Sequence, residues 1–347
     1  MSDESTETLE RYSRQVVLPD IGLEGQKRLR DASVLVLGVG ALGTVLASNL
    51  VRAGIGYVRL VDRDFIELHN LQRQVLFDEE DVAANLPKAV AAARKLRRIN
   101  SDVTIEPVVA DVTHRNAEAI VQGCDLILDG SDNFEVRMLI NELSVKHSIP
   151  WIYGAVMATY GVTMPFLPGE GPCFQCLLPS LPAPGATPTC ETGGILGTVP
   201  QVIAAMQVTE ALKLLTGHPE RLCRELRYID LWTGETLSID VEASSQHPCP
   251  VHELHRYDYL DGKRGSVSTV LCGRSAVQIH PKTARAPDFE ALADRLSSFG
   301  EVEHNAYLLR FNLPAHELVL FPTGRAIVRG TDDPAAARAL YARYIGG

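Results

Sequence analysis

The chain has 347 residues, of which 46% are hydrophobic and 22% charged, a composition that can bury the cores of two globular domains. Its formal net charge of −10 argues against nucleic acid as the main partner, because phosphate backbones bind basic surfaces. No apolar run reaches transmembrane length, and an odd count of seven cysteines does not suggest disulfides, so we expect a cytoplasmic protein.

The first 160 residues alternate buried apolar runs with amphipathic segments, which is the pattern of a parallel sheet with helices on both faces. We predict strands at 33–37, 57–61, 103–110, 125–128 and 151–155. We predict helices at 15–30, 44–53, 83–99, 117–122 and 134–147. The fold class is therefore α/β, with a doubly wound, mostly parallel, Rossmann-like sheet. In such folds ligands collect at the carboxyl ends of the strands.

The pattern changes after residue 161. We predict a strand at 163–167, a helix at 199–215 and a hairpin over 226–241. The polar segment 258–266 resembles a linker, and beyond it strands at 268–279, 306–312 and 318–329 alternate with helices at 288–299 and 334–344. We therefore predict a first domain over 1–258 and a small α+β domain over 266–347, whose role the sequence does not indicate.

A loop with three glycines follows the first predicted strand: Gly38, Gly40 and Gly43. Asp62 comes 19 residues after the last of them, at the tip of the second strand. Glycines let the backbone approach a phosphate, and the acid can take the ribose hydroxyls, so this unit predicts nucleotide binding. Arg73 and Lys88 add two cations, which phosphoryl-type chemistry requires and hydride transfer does not. An NAD-dependent oxidoreductase is therefore disfavoured.

Five motifs occur in order: R-Y-S-R-Q (11–15), G-V-G-A-L-G (38–43), V-D-R-D-F-I-E-L-H-N-L-Q-R-Q (61–74), P-K (87–88) and D-G-S-D-N (129–133). Together they closely resemble the ThiF–MoeB adenylyltransferases, bacterial relatives of ubiquitin-activating enzymes, from residue 11 to residue 257. The loop departs from the commoner family form at Ala41, where a glycine is frequent. Alanine favours the helix that begins there, so we expect little loss.

The resemblance implies roles for the motif residues. Asp62 would hold the ribose, Asp132 would hold Mg²⁺, and Arg14 would reach the phosphates of the neighbouring subunit in a homodimer. Further contacts to ATP would come from Asn70, Arg73, Gln74, Lys88 and Asn133.

The chemistry of adenylation agrees with these roles. A carboxylate that attacks an α-phosphate is a weak nucleophile approaching an anion, so the site must neutralise charge and align the attack without a strong base. Considered singly, Arg73 and Lys88 could be solvated surface cations, and Asp132 could cap the helix that starts at Phe134.

Two short turns supply metal-ligating side chains in the pattern C-x-x-C and C-x-x-H: Cys173, Cys176, Cys249 and His252. Each turn can present two ligands at one point, so the pair predicts a closed, tetrahedral zinc site of structural type. The family usually has cysteine at the fourth position. His247 and His255 are alternative ligands, and ordinary thiols in turns are the alternative to a metal site.

Cys190 lies in a stretch rich in proline and glycine, 181–194. In some family members the cysteine at this position takes part in a thioester or persulfide link to the carrier, so Cys190 is a candidate catalytic residue. A dispensable thiol is the alternative. The remaining cysteines lie beside apolar runs and are predicted to be small core residues: Cys124, Cys223 and Cys272. The terminal Gly346-Gly347 is interpreted as a coincidence.

The predicted function is ATP-dependent adenylation of the C-terminal glycine of a ubiquitin-like sulfur-carrier protein that ends in Gly-Gly, with release of pyrophosphate. Zn²⁺ and Mg²⁺ are the expected metals, and a second protein is a possible sulfur donor. The pathway would be molybdopterin or thiamine-thiazole biosynthesis. The alternatives are adenylation of another carboxylate, such as a peptide or amino acid, and a non-catalytic nucleotide-binding scaffold.

Overall fold

The computed structural model describes residues 10–181, 193–242, 248–264, 270–271, 276–279 and 287–345. They form two compact units. The first consists of residues up to 181 together with 194–264, and the second consists of Gly193 and the described residues from 270 onward. Each unit contains one sheet. The exact limits of the two predicted domains, and their independence, stay predictions. Within the described ranges, no helix is both long and apolar enough to span a bilayer.

The first unit is built on an eight-stranded sheet with the order β3-β2-β1-β4-β5-β6-β7-β8. Its strands are β1 Ser33–Leu37, β2 Tyr57–Asp62, β3 Thr104–Val109, β4 Leu126–Asp129, β5 Trp151–Met157, β6 Tyr160–Phe166, β7 Leu226–Asp230 and β8 Thr236–Ile239. Strands β1 to β5 pair in parallel, and β5 to β8 form an antiparallel meander. The prediction of a large, mostly parallel sheet and of the final hairpin is confirmed.

Helices cover both faces of this sheet. The α-helices are Ser13–Val16, Gly22–Asp31, Ala41–Ala53, Glu79–Ala83, Lys88–Ile99, Ala117–Val121, Phe134–His147, Phe174–Leu177 and Val199–Thr216, and short 3-10 turns span Leu68–Asn70 and Pro219–Arg221. Successive side chains of β1 point to opposite faces of the sheet. Leu35 and Leu37 pack with Ile120 and Met138, whereas Val36 faces the Ala41–Ala53 helix. Apolar residues therefore fill both layers, as a doubly wound sheet requires.

Two predicted helices were wrong in extent. The helix predicted over 15–30 is broken between Val16 and Gly22, where Pro19 lies. The helix predicted over 83–99 begins only at Lys88, because Pro87 is its N-cap and a separate short helix ends at Ala83. The second break matters for the site, since it places Lys88 on the first turn of its helix.

The second unit contains a six-stranded antiparallel sheet with the order β11-β12-β13-β14-β10-β9. Its strands are β9 Val270–Leu271, β10 Ala276–Ile279, β11 Glu301–His304, β12 Leu309–Asn312, β13 Glu317–Leu320 and β14 Ala326–Arg329, and its helices are Phe289–Leu296 and Pro334–Tyr344. The two helices pack on one apolar face of the sheet around Phe311 and Leu318. Strand β11 was not predicted, because an exposed edge strand of sequence E-V-E-H carries almost no apolar signal.

Candidate functional site

The glycine loop lies at the carboxyl end of β1, between β2 and β4. Gly38 adopts a positive φ of 89°, and its N–H donates to the carbonyl of Val61. A methyl group added at Gly38 would lie 2.6 Å from the carbonyl oxygen of Gly130, so the loop after β4 packs directly on the glycine loop. The helix then begins at Ala41, three residues before the predicted range of 44–53, with its N-terminus at this edge of the sheet.

Gly43 and Gly40 differ sharply in the space around them, which gives a matched test of the loop. A Cβ at Gly43 would lie 1.9 Å from the carbonyl oxygen of Gly38, whereas a Cβ at Gly40 would meet only the amide nitrogen of Gln74, at 3.8 Å. We expect Gly43→Ala to destabilise the protein by about 3 kcal/mol and Gly40→Ala to change stability by about 0.5 kcal/mol or less. Thermal unfolding of both variants measures the difference. Equal melting temperatures would contradict this account of the loop.

Asp62 at the end of β2 is bound to the glycine loop. Its carboxylate accepts the backbone N–H of Val39 at 2.7 Å and the backbone N–H of Asp64 at 2.7 Å. Burial raises the pKa of Asp62 above its usual value, and the nearby charge of Lys88 acts in the opposite direction. The acid is therefore fixed beside the glycine loop.

Lys88 is a buried cation, with 5% of its surface exposed. The chain turns at Pro87, which pairs with Phe65, so that the N–H of Lys88 donates to the carbonyl of Asp64 at 2.9 Å. The ammonium group lies 3.4 Å from the Asp64 carboxylate. A surface role for Lys88 is therefore wrong. Asp64, which we had not predicted as a site residue, is its partner.

The segment that contains Asn70, Arg73 and Gln74 is wound into a tight turn beside the loop. Asn70 and Gln74 are almost fully buried, and within the described part of the chain the Asn70 Nδ2 and Gln74 Oε1 atoms lack a hydrogen-bond partner. Arg73 is half-buried and donates to the carbonyl of His69 at 2.9 Å. Buried polar atoms without partners are costly, so they indicate a ligand that completes their hydrogen bonds.

The loop after β4 holds Asp132 at the surface. Asp129 accepts hydrogen bonds from the N–H and hydroxyl of Ser131, and it is paired with Arg137 at 2.9 Å. Arg137 also donates to the carbonyl of Ser131 at 2.7 Å. The N-cap of the following helix is Asn133, whose side chain accepts the N–H of Glu135. The alternative that Asp132 caps this helix is therefore wrong, and its carboxylate is exposed.

Arg137 was missed because an arginine in a helix is normally placed on the solvated face. Here it is buried, and its guanidinium lies over the rings of Phe134 and Tyr153. Burial would lower the pKa of Arg137, but the Asp129 carboxylate outweighs this and raises it. Its spacing, four residues after the end of the D-G-S-D-N motif at Asn133, was the available signal.

Arg14 is a predicted site residue that the structure does not bring into this group. Arg14 lies on an exposed position of the first short helix. Cys190 falls outside the described residues, as do Cys272, His247 and the terminal glycines. Of the cysteines predicted to be core residues, Cys124 is buried and Cys223 is only partly so.

Four side chains of the predicted metal site converge. The ligand atoms of Cys173, Cys176, Cys249 and His252 all lie within 4.8 Å of one another. The sulfur of Cys173 lies 4.0 Å from that of Cys176 and 3.7 Å from that of Cys249, and the Cys176 sulfur lies 3.6 Å from Nδ1 of His252. Tetrahedral zinc with bonds of about 2.3 Å to sulfur sets ligand separations of about 3.8 Å, so the donor set fits that metal.

The Phe134–His147 helix supports this cluster. Asn141 donates to the sulfur of Cys173 at 3.5 Å and accepts the N–H of Phe174 at 2.9 Å. Glu142 accepts the N–H groups of Tyr259 and Leu260, and burial raises its pKa. One helix therefore fixes both chain segments that carry the ligands.

Comparison with known proteins gives consistent results. A model described as the ThiF family matches residues 12–251. "Sulfur carrier protein ThiS adenylyltransferase" of Bacillus subtilis (strain 168) is 43% identical over 337 residues, with 97% of this chain and 99% of the relative covered. "Sulfur carrier protein adenylyltransferase" of Thermus thermophilus is 40% identical, with 74% and 98% covered. A crystal structure of E. coli MccB with MccA-N7isoASN has a TM-score of 0.61 at 24% identity, covering 70% of this chain and 74% of MccB, which shows the fold alone.

Proposed function

We propose, because this chain belongs to the ThiF family, that it adenylates a ubiquitin-like sulfur-carrier protein with ATP and releases pyrophosphate. The chain is an adenylyltransferase. The observation that carries the proposal is that three features lie together at one edge of the sheet: the glycine loop, the buried Lys88, and the Asn70 Nδ2 and Gln74 Oε1 atoms, which lack partners among the described residues. An alternative carboxylate substrate is not favoured by the relatives.

The carrier that we propose is of the ThiS kind, which would place the enzyme in thiamine-thiazole biosynthesis rather than molybdopterin biosynthesis. The Bacillus subtilis relative, whose name includes ThiS, aligns with 97% of this chain and so extends through the second unit. The Thermus thermophilus relative covers 74%. The second unit is therefore a feature shared with a ThiS adenylyltransferase.

The proposed reaction joins a carboxylate oxygen of the carrier's last glycine to the α-phosphorus of ATP, while the bond from that phosphorus to the pyrophosphate oxygen breaks. Lys88 and Arg73 would neutralise the phosphates, Asp62 would hold the ribose, and Asn70 would donate to a phosphate oxygen. The contribution of Gln74 and Asn133 to ATP binding stays a prediction. The exposed carboxylate of Asp132 fits Mg²⁺, which prefers oxygen ligands and neutralises charge on the phosphates.

A homodimer is part of the proposal. The exposed Arg14 is followed by two apolar side chains, Val17 and Leu18, which are 76% and 53% exposed. Exposed apolar residues beside a predicted functional cation support a subunit interface there, through which Arg14 would reach the partner's ATP. The metal that we propose for the Cys/His cluster is structural Zn²⁺. A role of Cys190 in sulfur transfer, with a second protein as donor, stays a prediction.

The test is ATP–pyrophosphate exchange with purified protein and a ThiS-type carrier. We expect exchange that requires the carrier and is lost when its last glycine is deleted, since the reacting carboxylate then moves out of reach. The matched control is a molybdopterin-type carrier that also ends in Gly-Gly. Equal exchange with both carriers would argue against the ThiS assignment, and ATP binding without exchange on either would argue against adenylation of a sulfur carrier.

A further inference from the structure

Arg63 is a partly buried cation that the proposed reaction does not yet use. It follows Asp62 directly, at the end of β2, and 21% of its side chain is exposed. Its Nη1 atom donates to the carboxylate of Asp111 at 2.9 Å, and its Nε atom lies 3.8 Å from the carboxylate of Asp64. Asp111 comes two residues after β3, so the ion pair joins the carboxyl ends of two neighbouring strands.

The order of the strands indicates which part of a nucleotide would lie near this pair. The phosphate-binding loop follows β1, the ribose acid Asp62 ends β2, and β3 is the next strand outward. A nucleotide with its phosphates at the loop and its ribose at Asp62 would extend its base away from the loop, along the edge where Arg63 and Asp111 meet.

The charges around Arg63 favour contact with a base over contact with a phosphate. Burial would lower its pKa, but the carboxylates of Asp64, Asp111 and Asp132 outweigh this and raise it. A guanidinium whose charge is already balanced by acids adds little attraction for an anion. The guanidinium group is planar, and planar guanidinium groups stack on aromatic rings.

We propose that Arg63, oriented by Asp111, forms one wall of the nucleobase pocket and stacks on the adenine of ATP. This inference rests on the proposed function only in taking ATP as the nucleotide. Stacking of a base on a side chain is worth enough to change affinity by about tenfold or more. Arg63 is thus a binding residue for the base, and Asp111 is a positioning residue that acts through it.

The test measures binding of two probes, ATP and inorganic triphosphate, to wild type, Arg63→Ala and Arg63→Lys. We expect Arg63→Ala to weaken ATP binding about tenfold and to leave triphosphate binding unchanged, because the inorganic probe has no base. Arg63→Lys keeps the charge without the plane and should also weaken ATP binding. Asp111→Asn, which loosens the guanidinium, should give a smaller loss confined to ATP.

Arg59 provides the matched control. It lies on β2, three residues before the end of the strand, and it also pairs with a carboxylate of β3, Glu106. Arg59→Ala should leave the affinity for ATP unchanged. If Arg63→Ala lost affinity for ATP and triphosphate to the same extent, or lost affinity for neither, the inference would be overturned. Wild-type protein that binds no ATP would instead refute the proposed function, so the two failures are distinguishable.

Discussion

Replacing Lys88 with methionine is expected to lower carrier-dependent ATP–pyrophosphate exchange by about 100- to 1,000-fold, the usual loss when one preorganised charge is removed from a site of developing negative charge. The Lys88 ammonium is 5% exposed, and Asp64 is 3.4 Å away. Burial strengthens its attraction for phosphate, because little water screens the charge. Methionine keeps the length of the side chain, so the loss reports the charge rather than the packing.

Lys95 on the same helix is the control for this substitution. Lys95 lies seven residues after Lys88 on the helix, away from the glycine loop, and it is paired with Asp78 and Asp81. Lys95→Met should reduce stability slightly and leave exchange near the wild-type rate. Circular dichroism would verify that Lys88→Met is folded. Exchange within about threefold of wild type in a folded Lys88→Met variant, a change of less than 1 kcal/mol, would refute the catalytic assignment.

The sequence predicted those elements whose limits are set locally. Strand β1 and the Phe134–His147 helix were predicted with their observed limits, because an apolar run defines the strand and polar residues at both ends limit the helix. The helix at Lys88 was predicted too long, since an alanine-rich pattern obscured the stop at Pro87. Strand β11 was missed because its pairing with β12, rather than its own residues, makes it a strand.

The site residues also divide into those that the sequence predicted and those that only the structure shows. Asp62 and Lys88 belong to recognisable motifs, and their roles followed from the resemblance. Arg137 pairs with Asp129, and Asp64 pairs with Lys88. Both pairs depend on how the chain turns, so only the folded structure shows them. The N-cap of the Phe134–His147 helix is Asn133 and not Asp132. Sequence reasoning could not decide between these two adjacent residues.

Replacing Cys173 with serine is expected to release the bound metal and to lower the melting temperature by roughly 10 °C. The sulfur of Cys173 is 3.7 Å from that of Cys249 and is the acceptor for Asn141. Metal binding in such a site is coupled to folding, so loss of one ligand should cost about 3 kcal/mol or more. Elemental analysis and thermal unfolding measure the two effects on the same sample.

Cys223→Ser separates the metal site from a general effect of losing a thiol. Cys223 is partly exposed and lies outside the four-residue cluster, in contact with Arg227. This variant should keep one zinc per chain and its melting temperature. His252→Ala tests the fourth position: a fall in zinc content would identify it as a ligand, because His255 is turned toward Tyr257 instead. Wild-type protein that contains no zinc, together with unchanged stability in Cys173→Ser, would mean that the cluster is a packed group of thiols. The four side chains would then lie close together because the Phe134–His147 helix binds the N–H groups of Phe174 and Leu260. No metal would be needed to bring the two segments together.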